Sequence, residues 1–107
     1  MHNRTLAALN DSIEHWKRLE TGTASETEGV GAKNCALCKL FRSGPAYCVG
    51  CPVMRSTGQS DCDGSPYPMA DDAYREYGKD SPEFRAAAKI EREFLEGLLP
   101  KQEETAP

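Results

Sequence analysis

Apolar residues recur along the N-terminal segment at steps of three and four: Leu6, Leu9, Ile13, Trp16 and Leu19 share one helical face. Asp11 followed by Glu14 has the form of a capping box, and Gly22 offers a stop just past the last apolar position. The pattern predicts a helix over residues 11–20, with residues 4–10 as an earlier turn or extension. Residues 21–34 contain almost nothing to bury and read as a linker or mobile loop. From Asn34 to about Pro68, glycine and proline are too dense for a regular helix. Short turns, and at most a two-stranded ribbon around residues 40–47, are expected there. Asp71 or Asp72 is placed to cap a short helix through Tyr77, ended by Gly78. Ser81-Pro82-Glu83 reads as N-cap, first-turn proline and first-turn acid. The helix it opens carries Phe84, Ala87, Ala88, Phe94, Leu95, Leu98 and Leu99 and stops before Pro100.

The predicted fold is a small, mainly α, metal-stabilised domain. Two principal helices, residues 11–20 and 82–99, pack on an irregular segment, residues 34–68, and share an apolar contact of Trp16, Phe84, Phe94 and Leu98. A single domain covers residues 1–100, and residues 101–107 form a flexible tail. At 107 residues, 38% of them hydrophobic, the chain has thin material for a core. Domains in this position often need a metal, disulfides or a partner.

That need gives weight to the cysteines. All five lie between Cys35 and Cys62, in the order Cys35-Ala-Leu-Cys38, Cys48-Val-Gly-Cys51 and Cys62. Two residues between cysteines let one tight turn aim both sulfurs at one point. Gly50 tolerates the positive φ such a turn needs, and Pro52 fixes the exit direction. Cys35, Cys38, Cys48 and Cys51 thus form a complete tetrahedral thiolate set for Zn²⁺. Cys62, in the turn-like run Asp61-Cys62-Asp63-Gly64, is a possible alternative ligand. An odd number of cysteines cannot pair completely within one chain, and the N-terminus lacks the apolar core of a secretory signal. A reducing cytoplasm, with thiolate ligands rather than disulfides, is expected. No acidic residue lies between Glu28 and Asp61, where the chain's average predicts about five. Lys33, Lys39, Arg42 and Arg55 fall in that stretch and suit the formal negative charge of a four-thiolate zinc.

An iron–sulfur cluster uses the same ligands, but the closely spaced three-cysteine run that is its better-known signature is absent. A thiol redox pair would need a helix-opening Cys-x-x-Cys in a βαβ setting. His15 lies roughly 130° from the centre of the apolar stripe, which makes it a solvent-facing or helix-edge histidine rather than a ligand. Phosphate-binding loops, zinc-protease helices and nucleophile elbows are all missing. A closed four-cysteine site leaves no open position for chemistry, so no enzyme is expected. No apolar stretch approaches the roughly 20 residues of a membrane span.

The spacing of the two Cys-x-x-Cys turns is similar to that of Ran-binding-protein zinc fingers. The tryptophan before the first cysteine and the asparagine between the pairs are missing, which leaves the single-stranded RNA binding of such fingers in doubt. A wider resemblance covers about residues 12–99. Ile13-Glu14-His15-Trp16, the two Cys-x-x-Cys turns, Thr57-Gly58, Cys62-Asp63-Gly64-Ser65-Pro66-Tyr67 and Phe94-Leu95-Glu96-Gly97-Leu98-Leu99-Pro100 resemble a group of small cysteine-rich bacteriophage and prophage proteins. The resemblance implies a bacterial host cytoplasm and transfers no activity.

The leading expectation is a zinc-stabilised protein-interaction module, a phage or prophage factor acting on a host protein. Phe41, Tyr47, Tyr67, Tyr74 and Tyr77 are candidate anchors, although a small domain needs the same rings for its core. Single-stranded nucleic-acid binding through Lys33, Lys39, Arg42 and Arg55 is the alternative. The net charge of −4 and the acids of residues 59–84 oppose it.

Overall fold

The structure is a computed structural model that describes residues 3–31, 34–41, 50–59, 62 and 64–100. Its elements are α1 (Asn3–Thr21), α2 (Ala36–Phe41), α3 (Pro52–Thr57), α4 (Tyr67–Tyr77) and α5 (Pro82–Glu96). The described residues contain no strand, and none of their helices is long and apolar enough to cross a membrane.

Helix α1 starts well before residue 11. Ala8 and Leu9 are buried with Ile13, Trp16 and Leu19, so burial extends the helix through the Asp11–Glu14 pair. Both of those acids remain on the solvent face, and a local cap does not outweigh core contact. The helix ends as its sequence predicts. Gly22 adopts φ +78, and the Thr23 amide donates to the Arg18 carbonyl at 2.9 Å, closing a Schellman turn. Arg85 of α5 donates to the carbonyls of Glu20 and Thr21 at 2.9 and 2.7 Å, which caps α1 from the neighbouring helix. Arg92 extends the clamp by pairing with Glu20 at 2.7 Å.

Helix α5 opens on the predicted cap: Ser81 Oγ accepts from the Phe84 amide at 3.1 Å, and Pro82 occupies the first turn. It ends at Glu96 rather than running to residue 99. The amides of Leu98 and Leu99 donate to the carbonyls of Leu95 and Glu96, so the last turn tightens to a three-residue spacing. Phe84 is fully buried, with its ring centroid 6.4 Å from that of Trp16 and 5.3 Å from that of Tyr74. Each such side chain contributes about 1.5–3 kcal/mol on burial. Phe94 and Leu98, expected at this centre, are only partly buried and pack on its flank.

Helix α4 begins a turn before Asp71. Ser65 Oγ donates to the Cys62 carbonyl at 2.6 Å and accepts from the Tyr67 amide at 3.2 Å, which organises the entry. Gly78 at φ +95 ends it as expected.

Two expectations fail outright. Residues 36–41 and 52–57 form single helical blocks, because the glycines and prolines of this region flank them rather than interrupt them. Pro52 sits at the start of α3, where a missing N–H costs nothing. Leu40 and Phe41 therefore belong to a helix, and the remainder of the expected ribbon lies outside the described residues. The loop after α1 is not a bare linker either. Val30 is buried in the core and its carbonyl accepts from the Tyr67 hydroxyl at 2.9 Å. Glu28 binds Arg18 through Oε2 at 2.7 Å and also accepts from His15 Nδ1. Lys79 donates to the Ser25 carbonyl. A strap of mostly polar residues is thus tied to α1 by charge and to α4 by hydrogen bonding.

Candidate metal centre

Cys35 immediately precedes α2 and takes the capping position with sulfur in place of oxygen. Its Sγ accepts from the Cys38 amide at 3.3 Å, and its carbonyl accepts from the Lys39 amide at 3.0 Å. Leu37, only 2% exposed, fixes this turn against the core. Cys51 plays the same positional part for α3, with extended backbone and its carbonyl accepting from the Arg55 amide at 2.9 Å. Gly50 before it has φ +91, as the turn chemistry predicts, and a side chain there would also meet the Phe41 ring at 3.3 Å. Cys62 has φ +63, the only non-glycine residue in the left-handed region among those described. Such a conformation costs about 1–2 kcal/mol and needs the hydrogen-bonded turn that Ser65 provides.

Cys35, Cys38, Cys51 and Cys62 line one cavity of about 230 Å³. Three separate segments are thereby brought to one place. Cys48 lies outside the described residues. Among those described, no three histidine, cysteine, aspartate or glutamate side chains are gathered closely enough to hold a metal ion. The expected ligand set is therefore represented by Cys35, Cys38 and Cys51, which share the cavity with Cys62.

The surroundings favour anionic sulfur at one position in particular. The Cys35 thiol is lowered to about 6, chiefly by its side-chain hydrogen bond with Cys38. Burial opposes that shift, while the Cys38 amide and Ser12 add to it. Ser12 Oγ makes no well-formed hydrogen bond, yet it lies close enough to favour the Cys35 thiolate. Thiolate is the form that ligates metal, so the donor chemistry fits a soft cation.

Two residues of this site escape the sequence pattern around the cysteines. His15 lines the cavity and is 4% exposed, contrary to the solvent-facing or edge position expected. Its polar ring tolerates burial because the strap supplies Glu28 as a partner. Glu91 of α5 also lines the cavity at 2% exposure, and its Oε1 has no hydrogen-bond partner among the described residues. Burial first, and then Cys35, pushes its carboxyl up to about 8. The available signal was its register. Glu91 falls on the α5 stripe of Phe84, Ala87, Ala88 and Leu95, where an acid is out of place.

The fold and the site together define a small helical, cysteine-rich domain with a thiol-lined interior cavity. The chain matches no protein-family model, no curated protein and no solved structure.

Proposed function

We propose that this chain is a zinc-stabilised protein-interaction module, with the metal held by Cys35, Cys38, Cys48 and Cys51. The observation that carries this reading is the meeting of distant cysteines on one cavity, with Cys35 predisposed to the thiolate form. Such a metal joins α2 and α3, which otherwise have few buried side chains of their own, to the α1–α5 core. Binding energies of about 10–16 kcal/mol in zinc-finger peptides would exceed what those short helices gain from packing. For a partner surface, Met69 and Tyr77 on α4 and Ile90 on α5 are large apolar side chains left exposed. The bacteriophage setting rests on the sequence resemblance alone.

A thiol redox function is the second reading, because Cys35-Ala36-Leu37-Cys38 does open a helix and its first sulfur has a lowered pKa. Elemental analysis of the purified chain, with single Cys→Ser substitutions at all five positions, separates the two. One equivalent of zinc is expected, lost on substitution of Cys35, Cys38, Cys48 or Cys51 and retained in Cys62→Ser. Iron with sulfide would replace zinc by a cluster. A metal-free protein whose Cys35 and Cys38 cycle between dithiol and disulfide would favour the redox reading. Chelation of verified zinc-loaded protein is expected to unfold residues 35–68, and unchanged circular dichroism and protease resistance would refute the structural role.

A further inference from the structure

We propose that the cysteine-lined cavity binds a compact organic cation, an amine or amidinium on a small apolar body, with Glu91 receiving the charged end. This goes beyond the metal reading and uses groups that reading leaves idle. The cavity of about 230 Å³ is far larger than one metal ion needs. For scale, an engineered apolar cavity of about 150 Å³ admits benzene.

Three observations converge on a positive ligand. First, Glu91 is buried to 2% exposure and its Oε1 lies at the cavity wall without a partner among the described residues. A buried carboxyl in that condition is costly unless something pairs with it. Second, no lysine or arginine is among the described residues lining the cavity, and His15 is engaged by Glu28. Third, Trp16, Phe41 and Tyr67 contribute rings to the walls, which suits a cation bearing an apolar body. A neutral ligand gains only from the walls, whereas a cation gains from all three features. Gln59 is the most exposed of the described lining residues.

Trp16 is the only tryptophan and lines the cavity, so its fluorescence reports occupancy directly. The full purified chain is titrated with benzylamine, with benzyl alcohol as the neutral match in shape. Saturable change with the amine, and at least about tenfold weaker change with the alcohol, is expected from loss of one charge-assisted contact. Glu91→Gln should weaken the amine by a similar factor, while Glu93→Gln, exposed on the same helix, should leave it unchanged. Equal responses to amine and alcohol overturn the proposal without reference to any variant, as does unaltered amine binding in Glu91→Gln.

Discussion

Glu28 is the residue on which the strap over α1 depends, and replacing it by glutamine tests that dependence cleanly. Its carboxyl lies well below the usual range, at about 2 against an ordinary 4.5, with the Arg18 hydrogen bond as the largest cause and His15 contributing. Each unit corresponds to about 1.4 kcal/mol, so the shift sets a ceiling of about 3 kcal/mol. The real contribution is smaller. Glu28 is 14% exposed, but Arg18 is 46% exposed, and solvent screens that half of the cluster. A loss of about 1–2 kcal/mol at pH 7 is expected, close to one charged hydrogen bond with a buried partner. The sign follows from the depressed pKa. The folded state binds fewer protons than the unfolded one below pH 4.5, so stabilisation is complete above that value and vanishes as pH falls through about 2. Urea unfolding of wild type and Glu28→Gln, measured in parallel, should show a gap at pH 7 that closes towards pH 2. Exposed Glu26 in the loosened strap should also become a preferred site for a glutamate-specific protease. A gap under about 0.3 kcal/mol at pH 7, within ordinary surface-substitution scatter, would refute the strap as a structural element.

Gly50→Ala should destabilise the protein by more than Gly58→Ala. Both glycines have positive φ, costing about 1 kcal/mol or more for alanine, but only Gly50 faces a neighbour, the Phe41 ring at 3.3 Å. Thermal unfolding of both variants checks the order, and equal losses would remove the Phe41 contact from the explanation. Glu91→Gln should raise stability at neutral pH, as read by urea unfolding of both proteins across the pH range. A carboxyl raised from 4.5 to about 8 favours the folded state fully below pH 4.5 and progressively less as pH rises through 8. The variant should lack that decline, and a pH dependence identical to wild type would show that Glu91 is not buried as described.

The helices with a long apolar period were legible in the sequence, and so were the stops and caps that use one residue's chemistry: Gly22, Gly78, Ser81 and Pro82. Those signals are local, and the structure keeps them. The start of α1 was misjudged because a plausible cap at Asp11 competed with Leu9, whose burial against the other elements is a tertiary fact. The same blindness hid the strap. Polar residues such as Glu28 look like linker until a histidine on another element needs a partner, and neither His15 nor Glu28 announces that need alone. Spacing singled out Cys35, Cys38, Cys48 and Cys51, since turns of two residues constrain sulfur direction without reference to the rest of the chain. Of these, Cys35, Cys38 and Cys51 line one cavity, where Cys62, left by the spacing as an alternative, joins them. Glu91 was not anticipated, although it breaks the apolar register of α5. Burial of such an acid is costly, and the carboxyl offsets part of that cost by keeping its proton up to about pH 8. On the proposed zinc reading the cysteines hold the small helices, and on the proposed cation reading the misplaced acid sets what the space between them takes.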